Sequence, residues 1–319
     1  MKKLLILLLL LGAAAFAFIG YGWWGEGPGE QPDTIIVEEG TTLNGLGERL
    51  AAEGKIVISP TLWRIGAKLF GGGDPIQAGE FRIPPGTSAS RILDIVQHDT
   101  PYQRMIAIPE GMPSVLVQEK LAKIPYLEGE APLPPEGSVL PQTYSYQRGE
   151  TRAAVVQRMQ AAMDKALAEA WAARSDRAAV STPEEAIILA SIIEKETGKP
   201  EEREMVAGVM TNRLKIGMQL GADATTIYPI TQGRPLGRMI RVSELRDPNP
   251  YNTRAISGLP VGPITNPGIE SIRAALNPAE TDALYYVADG TGGHVFARTL
   301  EEHNANVREW RRIREERGL

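Results

Sequence analysis

The stretch ILASIIEKETGKP, residues 188–200, sets two carboxylates, Glu194 and Glu196, at the end of an almost wholly apolar run that stops at Gly198 and Pro200. Acids on the last turn of a buried helix are chemically useful. Desolvation disfavours the anion, and so does the negative end of the helix dipole, so both raise a carboxyl pKa toward that of a general acid working near neutral pH. At helical spacings of three, four and seven, Glu194 stacks on Ser191, Ala190 and Ile187, and Glu196 on Ile193, Ile192 and Leu189. The two side chains diverge by about 200° around the axis, two helical steps of ~100° each, so they do not act on one substrate as a pair. Small Ala190 and Ser191 are expected to leave a groove above Glu194, which makes it the candidate acid. Bulky Leu189, Ile192 and Ile193 wall in Glu196, the candidate structural partner of an arginine or a backbone amide.

A helix must position these residues, and its start is legible: Thr182 as N-cap, Pro183 at the first helical position and Glu185 three residues after the cap. It is predicted to run about fifteen residues, apolar all round, which is the pattern of a buried helix. The block NRLKIGM closes a second, amphipathic helix through Met205, Val206, Val209, Met210 and Leu214, with Asn212 and Arg213 expected to brace the core beside Glu196. LYYVADGTGGHVFAR reads as a hairpin with a Gly-rich turn; His294 and His303 lack metal-ligand spacing.

The rest of the chain frames this helix. With 319 residues, 43% hydrophobic and 23% charged, two soluble domains and something extra are expected. A net charge of −5 argues against a nucleic-acid partner, which needs a basic surface. The run REWRRIREERG near the C-terminus is interrupted by glutamates and reads as a solvated helix end. There are no cysteines, hence no disulfide framework and no lipid-modified thiol.

The extra element is N-terminal. After Lys2 and Lys3 no charge occurs from Leu4 to Trp24. As a helix this run spans ~31 Å, matching the ~30 Å hydrocarbon core. Tyr21, Trp23 and Trp24 at its far end suit the membrane interface, and the lysines predict a cytoplasmic N-terminus with the remainder outside. The alternative is a cleaved signal peptide, with AAAFA as the small-residue site. GEGPGEQPD then reads as a linker. Beyond it one pattern recurs three times, in IVEEGTTLNGLGERL, RIPPGTSASRILDIV and AIPEGMPSVLVQEKL: a β-branched run, a turn closed by Gly40, Gly86 or Gly111, and an amphipathic helix. The uneven spacing excludes a solenoid and points to a small α+β module. The pattern resembles the LysM fold, whose strand-helix-helix-strand unit binds N-acetylated glycans.

LASIIEKET, VMTNRLKIGMQL, TIYPI, YNTRAISGLPVGPITNPG, ALYYVADGTGGHVFARTLEEHN and EGSVLPQTYSY together resemble successive blocks of the endolytic murein transglycosylase (YceG-like) family, over nearly the whole chain. The resemblance implies a membrane-anchored enzyme that cleaves peptidoglycan between N-acetylmuramic acid and N-acetylglucosamine, leaves 1,6-anhydromuramic ends, and uses no metal or organic cofactor. It also implies that Glu194, the first glutamate of EKET, is catalytic. The chemistry suits a single acid: an ordinary glycosidase needs a second carboxylate, whereas here the sugar's own C6 hydroxyl attacks C1. Asp223, Glu270 and Asp289 are the second carboxylates to consider otherwise.

Asp223, Thr225 and Tyr228, with Tyr251, Asn252 and Thr253 beside a proline-stiffened loop, are the candidate wall of a sugar cleft. The sequence departs from the family pattern at Gly221, Ala222 and Ala224. The expected architecture is α+β: anchor over 1–25, linker 26–33, LysM-like domain 34–98 and YceG-like catalytic domain 99–319. The expected partners are glycan strands, penicillin-binding synthases of the wall machinery and the inner membrane, with the catalytic domain periplasmic. The rival of a different class is a catalytically silent glycan-binding scaffold. A pyridoxal-phosphate lyase is the weaker rival, since Lys195 is poorly placed for a Schiff base.

Overall fold

The computed structural model describes residues 2–318, without the side chains at positions 2–5, 8, 14 and 15. The chain falls into two units, Met1–Arg104 with Ser145–Gly149, and Met105–Tyr144 with Glu150–Leu319. The class is α+β, and every sheet among the described residues has two strands.

In the first unit the order is α1 (Lys2–Trp24), β1 (Asp33–Val37), α2 (Leu43–Ala52), α3 (Pro60–Phe70), β2 (Gly79–Ile83) and α4 (Ala89–His98). Strands β1 and β2 pair antiparallel with Ile35 opposite Phe81, and alternation buries Ile35, Val37, Phe81 and Ile83 on one side. The turns ahead of α2 and α4 place Gly40 and Gly86 at φ +77° and +68°, the left-handed region that the recurring pattern reserves for glycine. Thr42, Ser59 and Ser88 then cap α2, α3 and α4 by accepting the backbone N–H three residues on.

Two tryptophans fill this core. Trp63 of α3 is fully buried and its indole N–H donates to the Leu43 carbonyl at 3.0 Å. Trp23, expected with Tyr21 and Trp24 at a membrane interface, instead lies 1% exposed against Trp63, ring centroids 5.6 Å apart. A Cβ at Gly66 would run into the Trp23 ring, and one at Gly47 into Trp63, so glycines inside α2 and α3 make room for the indoles. Each such glycine weakens its helix by ~0.5–1 kcal/mol, less than a buried aromatic side chain contributes. The anchor expected over residues 1–25 falls in part outside the described residues, at Met1 and at the side chains of residues 2–5, 8, 14 and 15. Among the described residues no helix is long and apolar enough to cross a membrane.

The second unit begins within β3 (Arg104–Ala107) and continues through α5 (Ser114–Ala122) to β4 (Thr143–Tyr146), where the chain leaves it and returns before α6 (Arg152–Ala172). There follow α7 (Pro183–Glu196), a single 3-10 turn (Pro200–Glu202), α8 (Arg203–Lys215), α9 (Asp223–Thr231), α10 (Val242–Leu245), α11 (Ile269–Leu276), the antiparallel hairpin of β5 (Tyr285–Ala288) and β6 (His294–Ala297), and α12 (Leu300–Arg317). Helix α7 is the axis. Thr182 accepts the Glu185 N–H at its start, while the Glu185 carboxylate takes the Ser181 N–H. Ala186, Leu189, Ala190, Ser191, Ile192 and Ile193 are all fully buried beneath α6, α8, α9 and α11. Helix α12 buries none of its residues, and its capping box of Thr299 and Glu302 fixes its start.

If Trp23 belongs to the folded core, Trp23→Ala should cost ~3–5 kcal/mol in chemical denaturation of the full chain, while half-exposed Trp24→Ala costs well under ~1 kcal/mol. Equal and small losses would detach Trp23 from the core.

Candidate active site

The end of α7 is where the two acids separate. The Glu194 carboxylate turns toward α11: its Oε2 accepts the Gly268 N–H at 2.9 Å and the Ser271 hydroxyl at 2.7 Å. Gly268 is the N-cap of α11, so Glu194 supplies from another helix the acceptor that this N-terminus lacks. Its other oxygen lies 3.8 Å from Arg203 Nη2, which is bonded to Glu110 at 2.9 Å. The Glu110 carboxyl occupies the space where a Cβ at Gly268 would stand. The side chain of Glu194 is 6% exposed. The groove expected above it is absent: Ala190 and Ser191 are both fully buried, and the Ser191 hydroxyl donates to the Ile188 carbonyl and accepts the Ile264 N–H. Smallness at these positions serves close packing.

Glu196 faces the other way. Its Oε2 accepts the Tyr286 hydroxyl at 2.7 Å from strand β5. Burial pushes its pKa up, the Tyr286 hydrogen bond and the charges of His294 and Arg254 oppose that, the charge of Asp223 adds to it, and the net direction is upward. Glu196, like Glu194, keeps partial exposure as a residue. Tyr286 is raised well above an ordinary phenol, by burial first and by the Glu196 charge second, so it stays a donor. The two glutamates thus meet different partners: Glu194 bonds the start of α11, and Glu196 bonds Tyr286 within a desolvating shell that raises its pKa.

Around Glu196, Arg213 and Asn212 hold the entry to β5. Asn212 donates to the Thr281 and Ala283 carbonyls at 2.8 and 3.1 Å, and Arg213 to Leu284 and Leu220 at 2.7 and 2.6 Å. His294 meets the Tyr286 ring edge-on at 5.2 Å and bonds Glu202 through Nδ1 at 2.7 Å. Asp223, 56% exposed, pairs with Arg254 at the rim. Of the other two carboxylates considered, Glu270 is exposed and pairs with Arg273, and Asp289 is held down to about 2 by hydrogen bonds from Thr291 and Gly293 in the hairpin turn.

Three members of the expected sugar wall do not face a cleft. Thr225, Asn252 and Thr253 are fully buried: the two threonine hydroxyls bond each other at 2.8 Å, and the Asn252 amide donates to the Glu244, Leu245 and Asp247 carbonyls. They latch α9 to the following loop, and their polar atoms are consumed there. Ala222 is buried with them, and Gly221 sits at φ +69°, so neither of these two departure positions presents a side chain to a ligand, while the third, Ala224, lines a pocket. Tyr228 and Tyr251 do line a pocket, of about 550 Å³, their ring centroids 4.9 Å apart. The Tyr228 hydroxyl donates to Glu136 at 3.2 Å, and burial raises the Glu136 pKa. Tyr286, Glu202 and Arg254 were not singled out by sequence reasoning, and His294 was weighed there only as a metal ligand. The one available signal was a polar-tipped tyrosine in a short strand beside the Gly-rich turn.

The profile of the YceG-like family matches residues 35–309. A Streptococcus pneumoniae protein (serotype 2, strain D39) named endolytic murein transglycosylase is 35% identical over 59% of this chain and 34% of its own length. A Bacillus subtilis (strain 168) protein of the same name is 28% identical over 71% of this chain and 64% of its own length. The chain therefore spans about a third of the pneumococcal relative and somewhat under two thirds of the Bacillus one. A crystal structure of a yceG-like protein from Listeria monocytogenes shares the fold, with a TM-score of 0.52 at 23% identity over 86% of this chain and 98% of that one. On the extent of the profile match, this chain belongs to the YceG-like family.

Proposed function

We propose that this protein is an endolytic lytic transglycosylase of peptidoglycan, cleaving the bond between N-acetylmuramic acid and N-acetylglucosamine with Glu196 as acid and then base. The observation that carries the reading is a carboxyl desolvated by its surroundings and hydrogen-bonded by Tyr286, in a chain whose relatives are named endolytic murein transglycosylases. Protonated Glu196 gives its proton to the glycosidic oxygen as the C1–O bond breaks. The resulting carboxylate takes the proton of the muramic C6 hydroxyl as that oxygen closes on C1, so one acid completes the cycle and no water enters the product. Tyr286 donates a hydrogen bond throughout, which limits the cost of the anion in the middle of the cycle.

The remaining expectations belong to the same reading. The strand-helix-helix-strand order of β1, α2, α3 and β2 supports a LysM-like glycan-binding module. The uncharged run from Leu4 to Trp24 after two lysines supports an inner-membrane anchor with the enzyme in the periplasm, near the penicillin-binding synthases. A hydrolytic variant of the chemistry would call on Asp223, the one of the three other carboxylates whose charge acts on Glu196.

Glu196→Gln keeps an acceptor for Tyr286 and removes the proton, so mass spectrometry of digested sacculi should show loss of anhydromuramic products by ~10²-fold or more. Glu194→Gln should retain them; the reverse pattern would return the acid to Glu194. Glu194→Ala leaves the Gly268 N–H and the Ser271 hydroxyl unpaired, and is expected to cost ~1–3 kcal/mol of stability per orphaned group in denaturant titrations.

The pH dependence has a definite sign. A raised folded pKa means that Glu196 contributes stability fully below the unfolded carboxyl value of ~4.3, and that this contribution is lost as pH rises through the folded pKa. Activity should fall over the same alkaline limb, and Glu196→Gln should gain stability relative to wild type there. Because the Asp223 charge raises Glu196, Asp223→Asn should move the limb to lower pH while anhydro ends persist. Reducing ends in the wild type, abolished by Asp223→Asn, would establish hydrolysis instead.

A further inference from the structure

A second pocket, of about 310 Å³, opens between the last turn of α7, α9 and the segments around Arg234 and Thr265. Its lining differs in character from the surroundings of Glu196. Ile227, Leu236 and Ile264 form an apolar wall, and no Asp or Glu lines it. Two cations do. Lys195 is exposed and has no carboxylate partner among the described residues. Arg234 places one nitrogen 2.6 Å from Glu119 and is 41% exposed, which leaves donors of its fork free. The third polar feature is Thr265, 1% exposed, whose hydroxyl has no hydrogen-bond partner in the protein. A buried hydroxyl without a partner costs free energy unless something in the cavity accepts its hydrogen bond.

We infer that this pocket binds a carboxylate of the acidic peptide carried by the muramic acid of the glycan, between Lys195, Arg234 and the Thr265 hydroxyl. The inference rests on the proposed substrate and adds the part of it that the acid at Glu196 does not touch. The donor set fits a planar carboxylate: one unpaired ammonium, a half-satisfied guanidinium and a neutral hydroxyl, with an aliphatic wall for the carbon chain behind it. Lys195 directly precedes Glu196, so a peptide held there lies on a neighbouring face of the same helical turn as the sugar being cleaved. Peptide-bearing sugars are then preferred through binding, and bare glycan is cleaved less efficiently.

The test uses the full chain and two probes, a soluble muramyl tetrapeptide with free carboxylates and the same compound with them amidated. Calorimetry should show the free acid binding about tenfold more tightly than the amide, the worth of one charge-assisted hydrogen bond. Lys195→Met should erase that difference. Thr265→Val matches the shape and removes no hydrogen bond within the protein, so it should fold normally and weaken the free acid alone. In turnover, the ratio of kcat/KM for peptide-bearing strands over strands stripped of peptide should fall about tenfold in Lys195→Met, chiefly through KM. Equal binding of acid and amide, or a ratio unchanged by both variants, overturns the inference. Wild-type protein that cleaves neither strand, yet binds the free acid in the expected pattern, would sink the transglycosylase reading and leave the peptide site standing.

Discussion

The burial of α7 on all sides is the constraint from which the rest of the second unit follows. A helix apolar around its whole circumference must be enclosed, and here α6, α8, α9 and α11 enclose it. Enclosure leaves only the two ends where polar groups can emerge, Glu184 and Glu185 on the first turn and the final turn opposite. Two glutamates separated by one lysine emerge there on opposite sides, and each meets a different element. Glu194 finds the open N-terminus of α11, where a carboxylate satisfies orphan donors and complements the helix dipole. Glu196 finds β5 and Tyr286. The same turn therefore pins a helix with one acid and shields the other.

The two acids differ because their partners differ. Glu194 accepts two donors on a single oxygen and has a guanidinium near the second. Glu196 has one phenolic donor, a desolvating shell and the nearby negative charge of Asp223, with Arg254, Arg213 and His294 as the moderating cations. Arg213 is itself lowered by burial, so it braces carbonyls of the β5 approach as much as it offers charge. A carboxyl in this setting spends little free energy in the protonated state and more in the charged one, which is the order a general acid requires.

The fold was more legible than the site. Helix α7 was marked at both ends by residues with local mechanisms, Thr182 as cap and Gly198 with Pro200 as stop, and three glycines marked turns that take positive φ at Gly40, Gly86 and Gly111. Local rules suffice where the cause is local. The site depends on which distant segment packs against each face, and spacing along one helix carries no such information. Ala190 and Ser191 are small because another chain segment presses on them, the same residue types that a groove would need. Thr225, Asn252 and Thr253 are polar residues that read as a binding wall until the two threonine hydroxyls are found to bond each other and the Asn252 side chain to bond Thr226 and nearby carbonyls. Trp23 carried an interface signal in sequence, yet Gly66, 43 positions later, makes the space that buries it.

One acid serving twice places a demand on its surroundings that a two-carboxylate site avoids. It must be protonated at the start, bear the charge transiently, and be protonated again at the end, with no second group to store the proton. Too dry a shell would make the middle state inaccessible, and too many fixed donors would keep the first state from forming. Tyr286 as a single donor, with cations reached through space rather than by direct contact, lies between these limits. Glu194, two residues away, instead spends one oxygen on two donors of α11, and that contrast in partners on one helical turn is what favours Glu196 in the proposed role.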